Sequence, residues 1–506
     1  MHTVLRTKKT APWKSRAIIC SGGHRNASTK PSTKYTTVTH PEGPEFVPSH
    51  VATKLARFSN YTLNTYARPD FIITHGKGNW VYAASPSSSS SQHEGVAPSS
   101  PTASSSAVPS RKYLDFTAGI AVNALGHGDE QFAEVMREQT LKISHVSNLY
   151  HNEWAGELAQ LLVQLTQRDG GLGFAPNSSP SAEKGAKVFF SNTGAEANEG
   201  ALKFARKVAK DRWLAQNPSA NGDASACEKT GIVCFENGFH GRTMGALSVT
   251  TNPKYQAPFA PLIPGVRVGK LNDASKQAMR SLIDETTCTV IVEPIQGEGG
   301  VRASEVEFLR GLRKRCNEVG AVLIYDEIQC GLFRTGSMWA HSSLPLDCHP
   351  DIVTMAKPLA NGFPISAILV TDEIANAISI GSHGTTFGGS PLATRLGHHV
   401  LSRISDPAFL SSLSSVSAHL RSRLAQLPLF FPDLIHPELR GRGLISGIAF
   451  KNPSHPGQIM QMARERGVLL LTAGSDAVRL VPSLNVSQEE VDMVLDVIES
   501  CLPLLK

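Results

Sequence analysis

Three short segments carry side chains whose types and positions suit chemistry. Asp326 ends the apolar run Ala321-Val-Leu-Ile-Tyr, where a buried strand would deliver a carboxylate to the edge of a sheet. A carboxylate there can hold a ring nitrogen protonated, as the electron sink of pyridoxal chemistry requires, or it can simply cap the strand at the surface. Lys357 stands at the end of Ile352-Val-Thr-Met-Ala, before the turn Pro358-Leu-Ala-Asn-Gly-Phe-Pro. Partly desolvated, its amine would be available for Schiff-base formation; solvated, it would be a snorkelling surface lysine. Asn192-Thr-Gly-Ala-Glu-Ala-Asn-Glu follows a strand-like run and opens a helix with apolar positions at Ala201, Leu202, Ala205, Val208 and Ala209. A helix start aims unpaired N–H groups at one point, which suits a phosphate, with Gly194 permitting close approach and Thr193 adding a hydroxyl. An ordinary helix N-terminus capped by Asn192 or Thr193 would read the same way.

Residues at the ends of apolar runs do chemistry only if a scaffold brings those ends together. Six short runs are candidate buried strands: Lys187-Val-Phe-Phe-Ser, Gly231-Ile-Val-Cys-Phe, Thr289-Val-Ile-Val-Glu, Ala321-Val-Leu-Ile-Tyr-Asp, Ile352-Val-Thr-Met-Ala and Ile365-Ser-Ala-Ile-Leu-Val. Helical patterns such as Glu196 to Trp213 and Glu305 to Val319 lie between them. Strands alternating with helices predict an α/β fold with a mostly parallel sheet covered on both faces, and ligands of such sheets gather at the carboxyl ends of the strands. After about Pro391 the pattern changes to long helices with one or two strands, which predicts a smaller second domain.

The 506 residues suffice for two or three domains. We divide them into a basic leader (1–41), an N-terminal part of the small domain (42–115), a large domain (116–390) and a C-terminal small domain (391–506). From Met1 to Pro41 there are eight basic residues and no acid until Glu42, so this stretch carries more than the whole formal charge of +6. Rich in Arg, Lys, Ser and Thr and lacking a continuous apolar segment, it predicts a mitochondrial presequence and work in the matrix; a disordered basic tail has similar composition. The remaining body is close to neutral, which argues against a nucleic-acid partner. Between Ala84 and Ser110 lie 12 serines and 4 prolines, too polar to order themselves, flanked by the strand-like Asn79-Trp-Val-Tyr-Ala and Lys112-Tyr-Leu-Asp-Phe. The simplest picture is a hairpin with a lengthened, disordered turn. The stretches Asp169 to Gly185 and Gln216 to Thr230 read as surface loops.

Other classes are excluded by what the chain does not contain. Its eight cysteines are scattered without a C-x-x-C pair or metal-ligand spacing, so they read as reduced thiols and no metal site is predicted. No apolar run is long enough to cross a bilayer. No G-x-G-x-x-G follows a strand, which argues against a nicotinamide-binding oxidoreductase.

The three segments occur in order with Phe239-His-Gly-Arg-Thr and Glu293-Pro-Ile-Gln-Gly-Glu-Gly-Gly. Together they resemble the class III (ornithine-type) aminotransferases, whose fold is the type I fold of pyridoxal-phosphate-dependent transferases. Tyr113-Leu-Asp-Phe-Thr-Ala-Gly-Ile-Ala-Val-Asn-Ala-Leu-Gly-His and Ser382-His-Gly-Thr-Thr-Phe-Gly-Gly make the acetylornithine branch the nearest, with the ornithine and 4-aminobutyrate branches as rivals. The resemblance runs from about Tyr66 to the C-terminus. A catalytically inactive binding protein on the same fold is the alternative from another class, and the presence of both Lys357 and Asp326 argues against it.

The resemblance implies a role for each matching residue. Lys357 would bind pyridoxal phosphate covalently and act as the catalytic base, Asp326 would meet its pyridine nitrogen, and Gln329 would lie near its phenolic oxygen. Gly194 and Ala195, with Thr193, would hold the phosphate, and Phe239 would stack on the ring. Arg242, helped by Thr385, would grip a substrate carboxylate. Thr386 would reach the phosphate of a neighbouring subunit, so the active site would need a homodimer. Arg479 would pair with Glu298 and be released to bind the α-carboxylate of glutamate. The substrates implied are a small amino acid and 2-oxoglutarate.

Overall fold

The structure, a computed structural model, describes residues 30–84, 111–178 and 185–506. The leader as far as residue 29, the Ser/Pro insertion from residue 85 onward and residues 179–184 of the predicted loop after Asp169 lie outside the described residues.

A seven-stranded sheet forms the centre, in the order Ala186–Ser191, Ser366–Thr371, Ile352–Met355, Val322–Asp326, Thr287–Val292, Gly231–Phe235, Val266–Gly269. All six predicted runs form strands in it. Val266–Gly269 escaped notice because four residues, with Arg267 polar, Gly269 small and Val268 exposed, carry too little pattern. Neighbours pair in parallel except Ser366–Thr371, which runs antiparallel to both of its partners.

Alternation along the central strand explains how the sheet is covered on both sides. Val322 and Ile324 point into a cluster with Ala201, Ala205 and Val208 of the helix Gly194–Gln216. Leu323 and Tyr325 point the other way, into Phe308, Leu312 and Cys316 of the helix Val306–Val319. With a side-chain period of two, Asp326 continues the face that looks toward the Gly194–Gln216 helix.

The hairpin expected around the insertion is present in its flanks: Trp80–Ala83 pairs antiparallel with Arg111–Asp115. That sheet is extended by Ile73–Lys77 and closed by Val468–Leu469 from the far end of the chain. Beyond Pro391 the helices Pro391–Ile404, Pro407–Leu424, His455–Arg464 and Gln488–Cys501 appear as predicted, but the strand content is higher than the one or two expected. Arg440–Arg442, Ile445–Ala449, Ala477–Leu480 and Leu471–Ala473 form a four-stranded antiparallel sheet. These strands are only three to five residues long, joined partly through Gly443 and Gly474 at positive φ, so their alternation is too brief to read.

Candidate active site

The strands Ala186–Ser191, Gly231–Phe235, Thr287–Val292, Val322–Asp326 and Ile352–Met355 run in one direction, and their carboxyl ends bring together most of the predicted residues. Asp326 is buried. Its Oδ2 accepts hydrogen bonds from Asn198 Nδ2 and His240 Nδ1, both at 2.8 Å, and its Oδ1 accepts from the Ile328 N–H at 3.0 Å. Asn198 reaches it because the helix Gly194–Gln216 lies on that face of the sheet, and Thr354 on the adjacent strand donates to Asn198 Oδ1 at 2.8 Å. Burial opposes a charge on His240, but the hydrogen bond and charge of Asp326 prevail and raise its pKa. Asp326 is therefore a fixed, buried carboxylate and not a surface cap.

Lys357 follows the neighbouring strand and begins a short 3-10 turn, Lys357–Ala360. Loss of hydration pulls its amine down to about 8, and the nearby charge of Arg479 adds to the effect. Its side chain is half-buried, which tells against a freely snorkelling lysine.

At the third segment, Thr193 caps the helix Gly194–Gln216: its hydroxyl accepts from the Glu196 N–H, and the Glu196 carboxylate accepts from the Thr193 N–H. The first bond within the helix is Ala197 N–H to Thr193 O, so the N–H groups of Gly194 and Ala195 precede it. The loop Phe239–Arg242 lies close by. Gly241, at φ 135°, allows that approach, since a Cβ there would stand 2.7 Å from the Ala195 Cβ.

On the substrate side one expectation needs correction. Arg479 and Glu298 form no ion pair. Arg479 Nη1 donates to Gln329 Oε1 at 2.8 Å, and its Nε has no partner among the described residues. Glu298 Oε1 instead accepts from the Tyr255 hydroxyl at 2.6 Å. Glu298 remains near enough for its charge to oppose the lowering of the Arg479 pKa that burial causes. Thr385 stands beside the start of the Gly194–Gln216 helix, its hydroxyl 3.2 Å from Asn192 Nδ2 and 3.4 Å from Glu196 Oε1. The Arg242 guanidinium carbon stands over the Tyr255 ring, 3.4 Å from its centroid, and 5.6 Å from that of Phe239. A planar cation is held well over a ring face. Gln329 belongs to the site but its amide oxygen is engaged by Arg479, and Thr386 is exposed.

The sequence reading assigned nothing to Asn198, His240, Tyr255 or Glu293. Glu293 is buried at the end of Thr287–Val292 and accepts from the Phe239 N–H at 2.9 Å and the Gly297 N–H at 3.1 Å, tying two site loops together. Burial raises its pKa, with His240 partly offsetting. An acid directly after a buried strand was the signal used for Asp326, and it applies equally to Glu293. Nothing local marks the other three.

Comparison with known proteins bears on what the site does. The family model described as aminotransferase class-III matches residues 104–502. The mitochondrial acetylornithine aminotransferase of Yarrowia lipolytica is 47% identical over 452 residues, covering 89% of this chain and 96% of that protein. The enzyme of the same name from Neurospora crassa is 45% identical and covers 96% and 94%. Among solved structures, the N-acetylornithine aminotransferase of Stenotrophomonas maltophilia superposes with a TM-score of 0.66 at 30% identity, covering 88% of this chain and 98% of that one.

Proposed function

This chain belongs to the class-III aminotransferases, and we propose that it moves the terminal amine of N2-acetyl-L-ornithine to 2-oxoglutarate, giving N-acetyl-L-glutamate 5-semialdehyde and L-glutamate. The observation that carries the reading is the pairing of a partly dehydrated amine, Lys357, with a buried carboxylate, Asp326, at the ends of adjacent parallel strands. The choice of substrate follows the names of the relatives.

The residues fit pyridoxal phosphate. A planar ring would lie between Phe239 and the sheet edge, its nitrogen on Asp326 and its phosphate on the N–H groups of Gly194 and Ala195, with Thr193 alongside. When bound, that cofactor supplies the carbonyl that takes the amine and the ring that accepts the electron pair released at the substrate carbon. Asp326 would meet the ring nitrogen, and His240 and Asn198 hold its carboxylate in place and correctly turned. Lys357 Nζ would take the proton from the amine-bearing carbon and give it back later in the transfer, and the burial that lowers its pKa makes the neutral amine easier to reach. Arg242 takes the carboxylate at the far end of acetylornithine. Arg479, with Nε unpaired, takes the α-carboxylate of glutamate or 2-oxoglutarate, and Glu298 is its counter-charge.

A homodimer completes the reading. Leu149, Tyr150 and Phe387 are 87%, 68% and 62% exposed, and Asn148 Nδ2 donates to Thr385 O at 2.8 Å, so an apolar patch surrounds Thr385 and Thr386. A second copy of the chain would cover that patch and bring its Thr386 to the phosphate. The basic leader, Met1 to Pro41, would direct the enzyme to the mitochondrial matrix, in keeping with its relatives' names.

Purified protein with pyridoxal phosphate and 2-oxoglutarate is to be offered acetylornithine, ornithine and 4-aminobutyrate. The highest kcat/KM is expected with acetylornithine. A higher value with either rival would overturn the substrate assignment while keeping the family.

A further inference from the structure

Tyr255 touches more of the substrate side than any residue the sequence singled out. It lies in the short helix Pro253–Gln256, whose start is capped by Asn252 and whose Gln256 Nε2 donates to Leu247 O at 3.0 Å. Its ring face carries the Arg242 guanidinium at 3.4 Å and lies edge-on to Phe239, centroids 6.3 Å apart. Its hydroxyl donates to Glu298 Oε1 at 2.6 Å. The Glu298 backbone is pinned, its carbonyl accepting from the Gly474 N–H at 2.6 Å, so the choice of partner falls to the Glu298 side chain alone.

That choice has consequences at Arg479. Glu298 is near enough for its charge to act on Arg479, so without the hydroxyl that it accepts from at 2.6 Å its side chain would turn to the guanidinium and occupy it. In the structure Glu298 sits on Tyr255, while Arg479 spends one nitrogen on Gln329 and leaves Nε open.

We propose that Tyr255 is a positioning residue for the exchange of substrates: its hydroxyl holds Glu298 away from Arg479, and so keeps Arg479 available to the α-carboxylate of glutamate and 2-oxoglutarate. The inference rests on the reading of Arg479 as carboxylate anchor. Because the Tyr255 ring also seats Arg242, one side chain links the two anchors. A substrate carboxylate at Arg242 and a displaced Glu298 both act on the same short helix.

Tyr255→Phe removes the hydroxyl and keeps the ring under Arg242. The probe is glutarate, a five-carbon dicarboxylate without an amine, whose binding is measured by calorimetry on the protein with and without pyridoxal phosphate. Tyr255→Phe is expected to weaken glutarate by about tenfold, a coupling typical of one switched polar contact. The ratio of the glutamate to the acetylornithine half-reaction, from single turnovers, is expected to fall by a similar factor. Adding Glu298→Gln to Tyr255→Phe removes the competing charge and restores glutarate affinity. Glu298→Gln alone, which does not depend on the tyrosine variant folding, is expected to bind glutarate at least as tightly as the parent. Unchanged glutarate binding in Tyr255→Phe, no restoration in the double variant, weaker binding in Glu298→Gln, or a parent that binds no glutarate would each overturn the proposal. A failed acetylornithine assay would strike the substrate assignment instead, leaving the glutarate series intact.

Discussion

The sheet edge and the substrate-facing loops assemble their polar groups by different means. At the sheet edge, register decides: Asp326 pairs with Thr354 in the strand ladder, faces the helix that carries Asn198, and has three hydrogen-bond donors converging on it. Its place is set by the same alternation that packs Val322 and Ile324. Across the site, Arg242, Glu298 and Arg479 hang on loops or on a short strand, and their partners are decided by which neighbour competes best. Rigid positions suit the proton chemistry, which is common to both substrates. Adjustable ones suit recognition, which must differ between them.

The comparison breaks first at Lys357. Lys357→Ala should lower single-turnover amine transfer by on the order of 10³-fold or more while leaving the circular dichroism of the fold unchanged, since general-base contributions alone reach that size. A variant transferring at near the parent's rate would remove the sheet edge from the account. Asp326→Ala should come next. It strands the buried His240 and Asn198, so cofactor retention and the thermal midpoint should both drop, the stability falling by about 3 kcal/mol for the loss of one partner of a buried pair. A midpoint within experimental error of the parent's would show that Asp326 is not held as described.

Burying an amine costs stability that pH can return. The Lys357 pKa is about 8 in the folded protein against 10.5 for a solvated lysine, so below about 8 the folded chain holds a charge it solvates poorly. The penalty is full there and is relieved as pH rises from about 8 to 10.5. Lys357→Met should therefore stabilise the cofactor-free protein at pH 7 by on the order of 2 kcal/mol, and the gain should shrink above pH 8. A gain independent of pH would point to packing. The smallest effect belongs to the helix start: Thr193→Ala removes one half of the capping box and should cost about 1 kcal/mol in denaturant unfolding. A larger loss that vanishes with inorganic phosphate present would show that Thr193 acts mainly through its anion.

This division also explains what was legible in the sequence. Asp326 and Lys357 could be found because each ends a buried apolar run, and the run itself reports where its last residue goes. The six strands were legible for the same reason, and the mostly parallel sheet followed from their alternation with helices. That Glu298 sits on Tyr255 and not on Arg479 was not legible, because hydrogen-bond partners across loops depend on a third residue, Tyr255, that no local pattern marks. The short strands after Arg440 were missed because two or three alternations do not distinguish a strand from a turn. His240 sat within a motif that was read for Phe239 and Arg242, and only the folded chain shows it against Asp326 at 2.8 Å.

The central claim is that the lysine at the end of the Ile352–Met355 strand is where the cofactor is held. Borohydride reduction of the protein loaded with pyridoxal phosphate, followed by peptide mass spectrometry, tests it most directly. The account predicts a phosphopyridoxyl label on the peptide containing Lys357, absent from Lys357→Ala. A label on another lysine, or none on either protein, would contradict it.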